Sequence, residues 1–211
     1  MNIESYITVR AEASDEVVIQ KSRFIGYAAP CETEEEALAF LRSVKEKHRD
    51  ARHHCYAYVI GLNAGVMRYS DDGEPGGTAG LPMIDVLKNG KVVNCCVVVV
   101  RYFGGILLGT GGLVRAYTQG CKIALEAAGP VRMERSAVLR CRCSYSLWNS
   151  VQYALQKLPV QLGEVQYAED VTFDLIARSK DSETAVEQLR NLSDGKIVCE
   201  TVSEEFKAWD L

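Results

Sequence analysis

Between Val92 and Val100 only one residue, Asn94, is polar. A short run so rich in valine is too brief for a buried helix and predicts a strand covered on both faces. Such a strand obliges the rest of the chain to supply a layer on each side. Two glycine-rich stretches flank it. One runs from Asp71 to Gly80 (DDGEPGGTAG), the other from Arg101 to Arg115 (RYFGGILLGTGGLVR). Ordering glycine costs more backbone entropy than ordering any other residue, so clusters of it point to unusual dihedrals or to close approach of the backbone to something else.

The remaining chain alternates strand and helix patterns. Tyr6 to Ala13, Glu16 to Ile19 and Lys21 to Ala28 read as strands. Thr33 and Glu36 form a capping box before a helix carrying Ala37, Phe40, Leu41 and Val44, which ends near His48. Cys55 to Leu62 and Val66 to Tyr69 predict a hairpin. Thr78 is placed to cap a short helix that Asn89-Gly90 stops. The second glycine loop feeds a longer helix with Leu113, Ala116, Tyr117, Gly120, Ile123, Ala124 and Ala127 as its buried stripe. Gly129-Pro130 ends that helix and divides the chain into domains 1–130 and 131–211. The second domain reads βαββαβ, the order of a ferredoxin-like sandwich, so the fold class is α+β.

Bulk properties narrow the function classes. The net charge is −4 and neither half is basic, which excludes a broad nucleic-acid footprint and leaves only local Arg/Lys clusters. No apolar run reaches the ~18 residues of a membrane span, and the first residues lack the pattern of a secretory signal. Eight cysteines without a CxxC pair, two of them adjacent in the apolar strand, fit a reducing cytoplasm.

The second glycine loop is neither a Walker A, since Thr110 stands where the phosphate-gripping lysine belongs, nor a dinucleotide fingerprint. It does lead into a helix start. Free backbone N–H groups at Gly104, Gly105, Gly109, Gly111 and Gly112, the positive helix end, Arg101 and Arg115 would together attract an anion, with Tyr102 stacking or bracing. The plainer reading is that the glycines only let helix and sheet pack tightly. Asp71, Asp72 and Glu74 could hold a hard cation or serve in acid–base catalysis. Equally, they could form a turn, cap a helix or pair with Arg101 or Arg115. His48, His53, His54 and Cys55 match no zinc spacing. His54 and Tyr56 share a strand face and, with Arg23, are candidates to line the site. Lys21, Arg23, Arg49, Arg52, Arg68, Arg101 and Arg115 with Tyr56, Tyr69, Tyr102 and Phe103 could read RNA by phosphate contact and stacking. No resident metal or organic cofactor is expected.

The stretches KSRFI (21–25), DARHHCYAY (50–58), Ser70 through Gly80, and VVRYFGG (99–105) with Leu108-Gly109 and GLVRAY (112–117) resemble the IMPACT family, above all its bacterial two-domain members of the YigZ type. The resemblance implies a first domain like domain two of ribosomal small-subunit protein five. It also implies a second domain resembling the last domain of translocating elongation factors. It suggests a translation-associated regulatory protein whose partner is RNA or a ribosome-associated protein. The alternative is an enzyme acting on a phosphorylated small molecule or nucleotide. A third reading is a docking module that uses the ferredoxin-like sheet. The kinase-regulating role of the eukaryotic relatives belongs to an additional N-terminal domain and does not transfer.

Overall fold

The computed structural model describes residues 3–211, in two compact units. The first holds the chain up to Met133 together with Ala208–Leu211; the second is Glu134–Lys207.

In the first unit the order is β1 (Ser5–Val9), β2 (Ala13–Ile19), β3 (Ser22–Pro30), α1 (Glu34–Lys47), β4 (His53–Ile60), β5 (Val66–Ser70), α2 (Gly80–Asn89), β6 (Cys95–Tyr102) and α3 (Gly109–Ala128). Five of these strands form an antiparallel sheet in the order β2-β3-β6-β4-β5. The valine run is therefore the central strand. Val97 and Val99 face α2 and α3, packing with Phe24, Met83, Leu87 and Tyr117. Cys96, Val98 and Val100 face α1, packing with Phe40, Leu41 and Val44. Both faces are covered, which is why the pattern is continuous rather than alternating.

The strand starts later than the apolar run. Lys91 and Asn94 have left-handed backbone (φ 52° and 51°) and turn the chain before Cys95. Val93 instead donates its N–H to the Ile7 carbonyl at 2.9 Å. The capping box at α1 is a variant: Glu36 donates its N–H to Thr33 Oγ1, but its carboxylate reaches back to the Glu32 N–H rather than that of Thr33. On α3 the buried stripe follows Leu113, Ala116, Tyr117, Gly120, Cys121, Ala124, Leu125 and Ala128. Ile123 is only partly buried and Ala127 is exposed, so the stripe is rotated from the expected one. The rotation follows from close backbone contact. A Cβ on Gly26 of β3 would lie 2.2 Å from the Gly120 carbonyl oxygen, so only glycine lets this helix sit so low on the sheet. Gly129, at φ 70°, ends α3.

β7 (Pro130–Cys143) begins in the first unit and continues into the second, which adds α4 (Tyr145–Leu155), β8 (Val160–Tyr167), β9 (Val171–Arg178), α5 (Ser182–Leu192) and β10 (Val198–Asp210). β7 is flanked by β9 and β10, with β8 outside β9. The βαββαβ order thus gives a sheet with Leu139, Cys141, Phe173 and Leu175 packed against Trp148, Val151 and Leu189 of the helices. Trp209, near the end of β10, is buried and belongs to the first unit, where Asp210 also meets Arg10 at 2.6 Å. No helix among the described residues is long and apolar enough to cross a membrane.

Candidate functional site

The sheet of the first unit gathers the conspicuous residues at one end. Arg23 pairs with Tyr102 and His53 with Arg101, so the start of β3, the start of β4 and the end of β6 lie together. The acidic loop follows β5 at that same end, because Tyr56 pairs with Ser70.

The carboxylates of that loop are all engaged by the protein. Asp71 accepts the N–H groups of Gly77 (2.8 Å), Ala79 (2.9 Å) and Gly80 (2.8 Å), and so caps α2 from nine residues away. Burial works to raise the Asp71 carboxyl, but the three N–H donors outweigh it and the net shift is downward. Thr78, expected to cap this helix, instead donates to the Pro75 carbonyl at 2.6 Å, a turn made inside the loop. Asp72 accepts the His54 N–H at 2.7 Å and lies 3.5 Å from Lys45 Nζ. Glu74 is 8% exposed and its Oε1 takes two donors, Arg101 Nη1 at 2.7 Å and the Tyr117 hydroxyl at 2.8 Å. Of the pairings left open by the sequence, the structure realises turn, cap and Arg101 partner. Among the described residues no group of three His, Cys, Asp or Glu side chains is placed to hold a metal ion.

Arg101 therefore does not stand beside Arg115 at the front of a cleft. It is 7% exposed, with Phe24 and Phe103 rings 5.5 and 5.4 Å from its guanidinium carbon. β6 is the central strand, so a side chain on it points into a covered layer, and its charge is met by Glu74. Its Nε carries no hydrogen-bond partner. Burial, together with Cys55 and Glu74, raises the Tyr117 hydroxyl, which stays a donor.

Arg115 is exposed and makes no ion pair among the described residues. Its Nη1 lies 3.8 Å from the position a Cβ would take on Gly111, so the guanidinium folds back along the first turn of α3. That helix end has no side-chain cap and no acidic residue in its first turn. Around Gly105 and Gly109 there is open space, and both have positive φ (85° and 68°). Gly104 is different. A Cβ there would lie 2.0 Å from the Lys21 carbonyl carbon, and its N–H donates to Ser22 Oγ at 3.1 Å. It pins the loop to the β2–β3 turn, bringing Lys21 beside it. Gly112 packs against Leu108. Phe103 and Leu107 are exposed.

On the α1 face, the sequence passed over His48 as anything but a polar residue. It follows α1, and its two ring nitrogens meet the Tyr27 hydroxyl (2.7 Å) and the Tyr102 hydroxyl (2.9 Å). Tyr102 in turn donates to Asp50 at 2.9 Å. With Tyr102 donating onward, Nδ1 is the protonated nitrogen and Nε2 accepts from Tyr27. Burial, and then His54, lower the His48 pKa. Tyr102 thus has its hydroxyl in this chain and Arg23 over its ring at 5.7 Å, while Arg23 is bound to Glu16 at 2.7 Å. His54 is buried and bonded to the His48 carbonyl at 2.9 Å, which ties the end of α1 to the sheet; Tyr56 stacks on Tyr58 of the same strand at 5.9 Å, and Tyr58 donates to Glu34 at the start of α1. No local motif signals the His48 chain, because its members lie on three separate elements.

Residues 20–125 match the model of the Impact N-terminal domain, and residues 141–196 match that of a domain of unknown function, DUF1949. The IMPACT family member YvyE of Bacillus subtilis is 39% identical over 194 residues, covering 92% of this chain and 89% of that protein. YigZ of Escherichia coli is 42% identical over 155 residues, 72% of this chain and 76% of that one. A solved crystal structure of a hypothetical protein superposes with a TM-score of 0.60 at 35% identity, covering 96% of this chain and 100% of the other.

Proposed function

The chain belongs to the IMPACT family, and from that premise we propose that it is a translation-associated regulatory protein that binds a phosphate-bearing partner, RNA, at the start of α3. One observation carries this reading: Arg115 lies along the first turn of a helix that has no cap and no acid of its own. A cation at that end is opposed by the helix dipole, at a cost of about 0.3–1 kcal/mol, and a bound anion removes the conflict. The other two helices of the first unit are finished differently, α1 by Thr33 and three glutamates, α2 by Asp71. Lys21 beside Gly104, and Arg52 just before β4, add exposed positive charge at the same sheet end. Exposed Phe103 offers a ring for a base.

The reading departs from the one suggested by the sequence: Arg101 supports the loop from inside, Gly104 gives its N–H to Ser22 and Tyr102 its hydroxyl to Asp50, and the contact falls to Arg115 with Lys21 and Arg52 nearby. An enzyme acting on a phosphorylated small molecule would need an acid or base from Asp71, Asp72 or Glu74, and protein donors already engage all three.

The test is fluorescence anisotropy of a labelled single-stranded RNA at several salt concentrations. Arg115→Ala and Lys21→Ala should each weaken binding and reduce the salt slope by about 0.7 per lost phosphate contact. Binding and slope unchanged in the double variant would refute the site.

A further inference from the structure

The sheet of the first unit has a second end, opposite the proposed RNA site. There the β4–β5 hairpin turns between the paired residues Ile60 and Val66, α2 finishes at Asn89, and β6 begins at Cys95 beside Val59. Between these parts, β1 and the start of β7 lies a cleft of about 700 Å³. Val92 and Val93, both buried, lie at its floor, with Ile7, Leu62 and Met67 more open around them. Its charged lining has one sign only: Lys88, Lys91 and Arg132, with no Asp or Glu among the described residues.

The helix end accounts for one of these cations. Lys88 sits in the last turn of α2, where the negative end of the helix dipole favours it, and Asp85 lies 3.6 Å from its Nζ. Arg132 arrives from β7 instead, and neither Arg132 nor Lys91 makes an ion pair among the described residues. Ala64 and Lys91, both lining the cleft, have left-handed backbone (φ 55° and 52°), although neither is a glycine, asparagine or aspartate. Residues held in such conformations gather at ligand sites. Asn63 Oδ1 accepts the Gly65 N–H at 3.2 Å, which leaves the Asn63 NH2 as a donor. A larger neighbouring cleft of about 870 Å³, between α2 and α3, lacks the charge bias, because Asp85 and Glu126 line it together with Lys122.

We propose that the cleft at the β4–β5 hairpin binds an apolar carboxylate, a small molecule with a hydrocarbon body and one carboxylate head. Its volume falls in the range of about 300–1,000 Å³ usual for small-molecule sites. The body rests on Ile7, Leu62, Val92 and the unbranched Met67, whose side chain adapts to its shape. The head meets Lys91 and Arg132, and the planar fork of Arg132 matches a carboxylate. The negative end of α2 opposes an anion, so a single cation would not hold the head. Lys88 offsets that helix end, and Lys91 and Arg132 supply the net attraction.

The experiment is isothermal titration calorimetry of the full chain with sodium decanoate, kept below its micelle-forming concentration, at low and at physiological salt. The expected result is saturable binding of one decanoate per chain, weaker as salt rises. Decyltrimethylammonium, with the same chain and the opposite charge, should show no saturable binding. Lys91→Gln combined with Arg132→Gln should weaken decanoate by about tenfold or more, since two charge-assisted contacts are lost. Both side chains are exposed, so the melting temperature of that variant should stay the same, which separates lost binding from lost fold. Lys122→Gln, in the neighbouring cleft, should leave the affinity unchanged. No saturable decanoate binding, equal binding of the ammonium compound, or unaltered affinity in the double variant would each overturn the proposal. So would a loss confined to Lys122→Gln, which would put the ligand between α2 and α3. The wild-type comparison of the two head groups decides even if the double variant melts early.

Discussion

Replacing Glu74 with Gln keeps the side chain's shape and removes the charge that Arg101 faces. The guanidinium is then left 7% exposed, between aromatic rings and with Nε already unpartnered. Breaking a buried ion pair from one side costs about 3–5 kcal/mol, because the surviving charge stays desolvated. The first unit has close to 140 residues, for which 1 kcal/mol moves Tm by about 3–5 °C, so its melting point should fall by about 10–25 °C. Trp209 lies in the first unit and Trp148 in the second, so fluorescence melting of Glu74→Gln in a Trp148→Phe background follows the first unit alone. Adding Arg101→Met should restore most of the loss, since neither charge then remains. If the two single effects add to within about 0.5 kcal/mol in the double variant, Glu74 and Arg101 are not a coupled pair and the account of the loop's support is wrong.

Changes at three further positions test neighbouring claims. Asp71→Ala should cost about 1–2 kcal/mol by chemical denaturation, at the upper end for a cap because three N–H groups lose their acceptor together. The depressed Asp71 pKa contributes stability that is present above the unfolded value near pH 4 and lost as pH falls through the lower folded value. Asp71→Asn should therefore flatten the acid limb of the stability curve, and an unchanged limb would count against the cap. Thr110→Asp places a carboxylate in the first turn of α3; it should stabilise by about 0.3–1 kcal/mol while weakening RNA binding, and tighter binding would contradict the anion site. Gly104→Ala drives a methyl into the Lys21 backbone and should destabilise by about 1–3 kcal/mol, whereas a neutral effect would mean the loop is not pinned there.

Most of the architecture could be read from the chain because it rests on local signals. The valine run marked the central strand, Thr33 and Glu36 marked the start of α1, and Gly129 marked the end of α3. What could not be read was which charge goes with which. Whether Arg101 faced solvent or Glu74 depended on β6 being central and on Tyr117 arriving from α3, both set by tertiary pairing. The same holds for Asp71, which caps a helix that Thr78, a nearer and equally suitable residue, was expected to cap. The partners of His48 gave no signal, because Tyr27 and Tyr102 reach it from strands that only folding brings together. The position and exposure of Arg115 on α3 could be read, because its place one turn into a glycine-led helix is a matter of sequence spacing.

The return of Ala208–Leu211 to the first unit has a consequence during synthesis. Although most of that unit is made before residue 134, it lacks Trp209 and the Asp210 partner of Arg10 until residues 208–210 have also left the ribosome. The second unit, whose residues are contiguous, has all its parts earlier. A nascent chain arrested near residue 200 should accordingly show protease protection of the first unit below that of the released protein, and one extended past Trp209 should gain it.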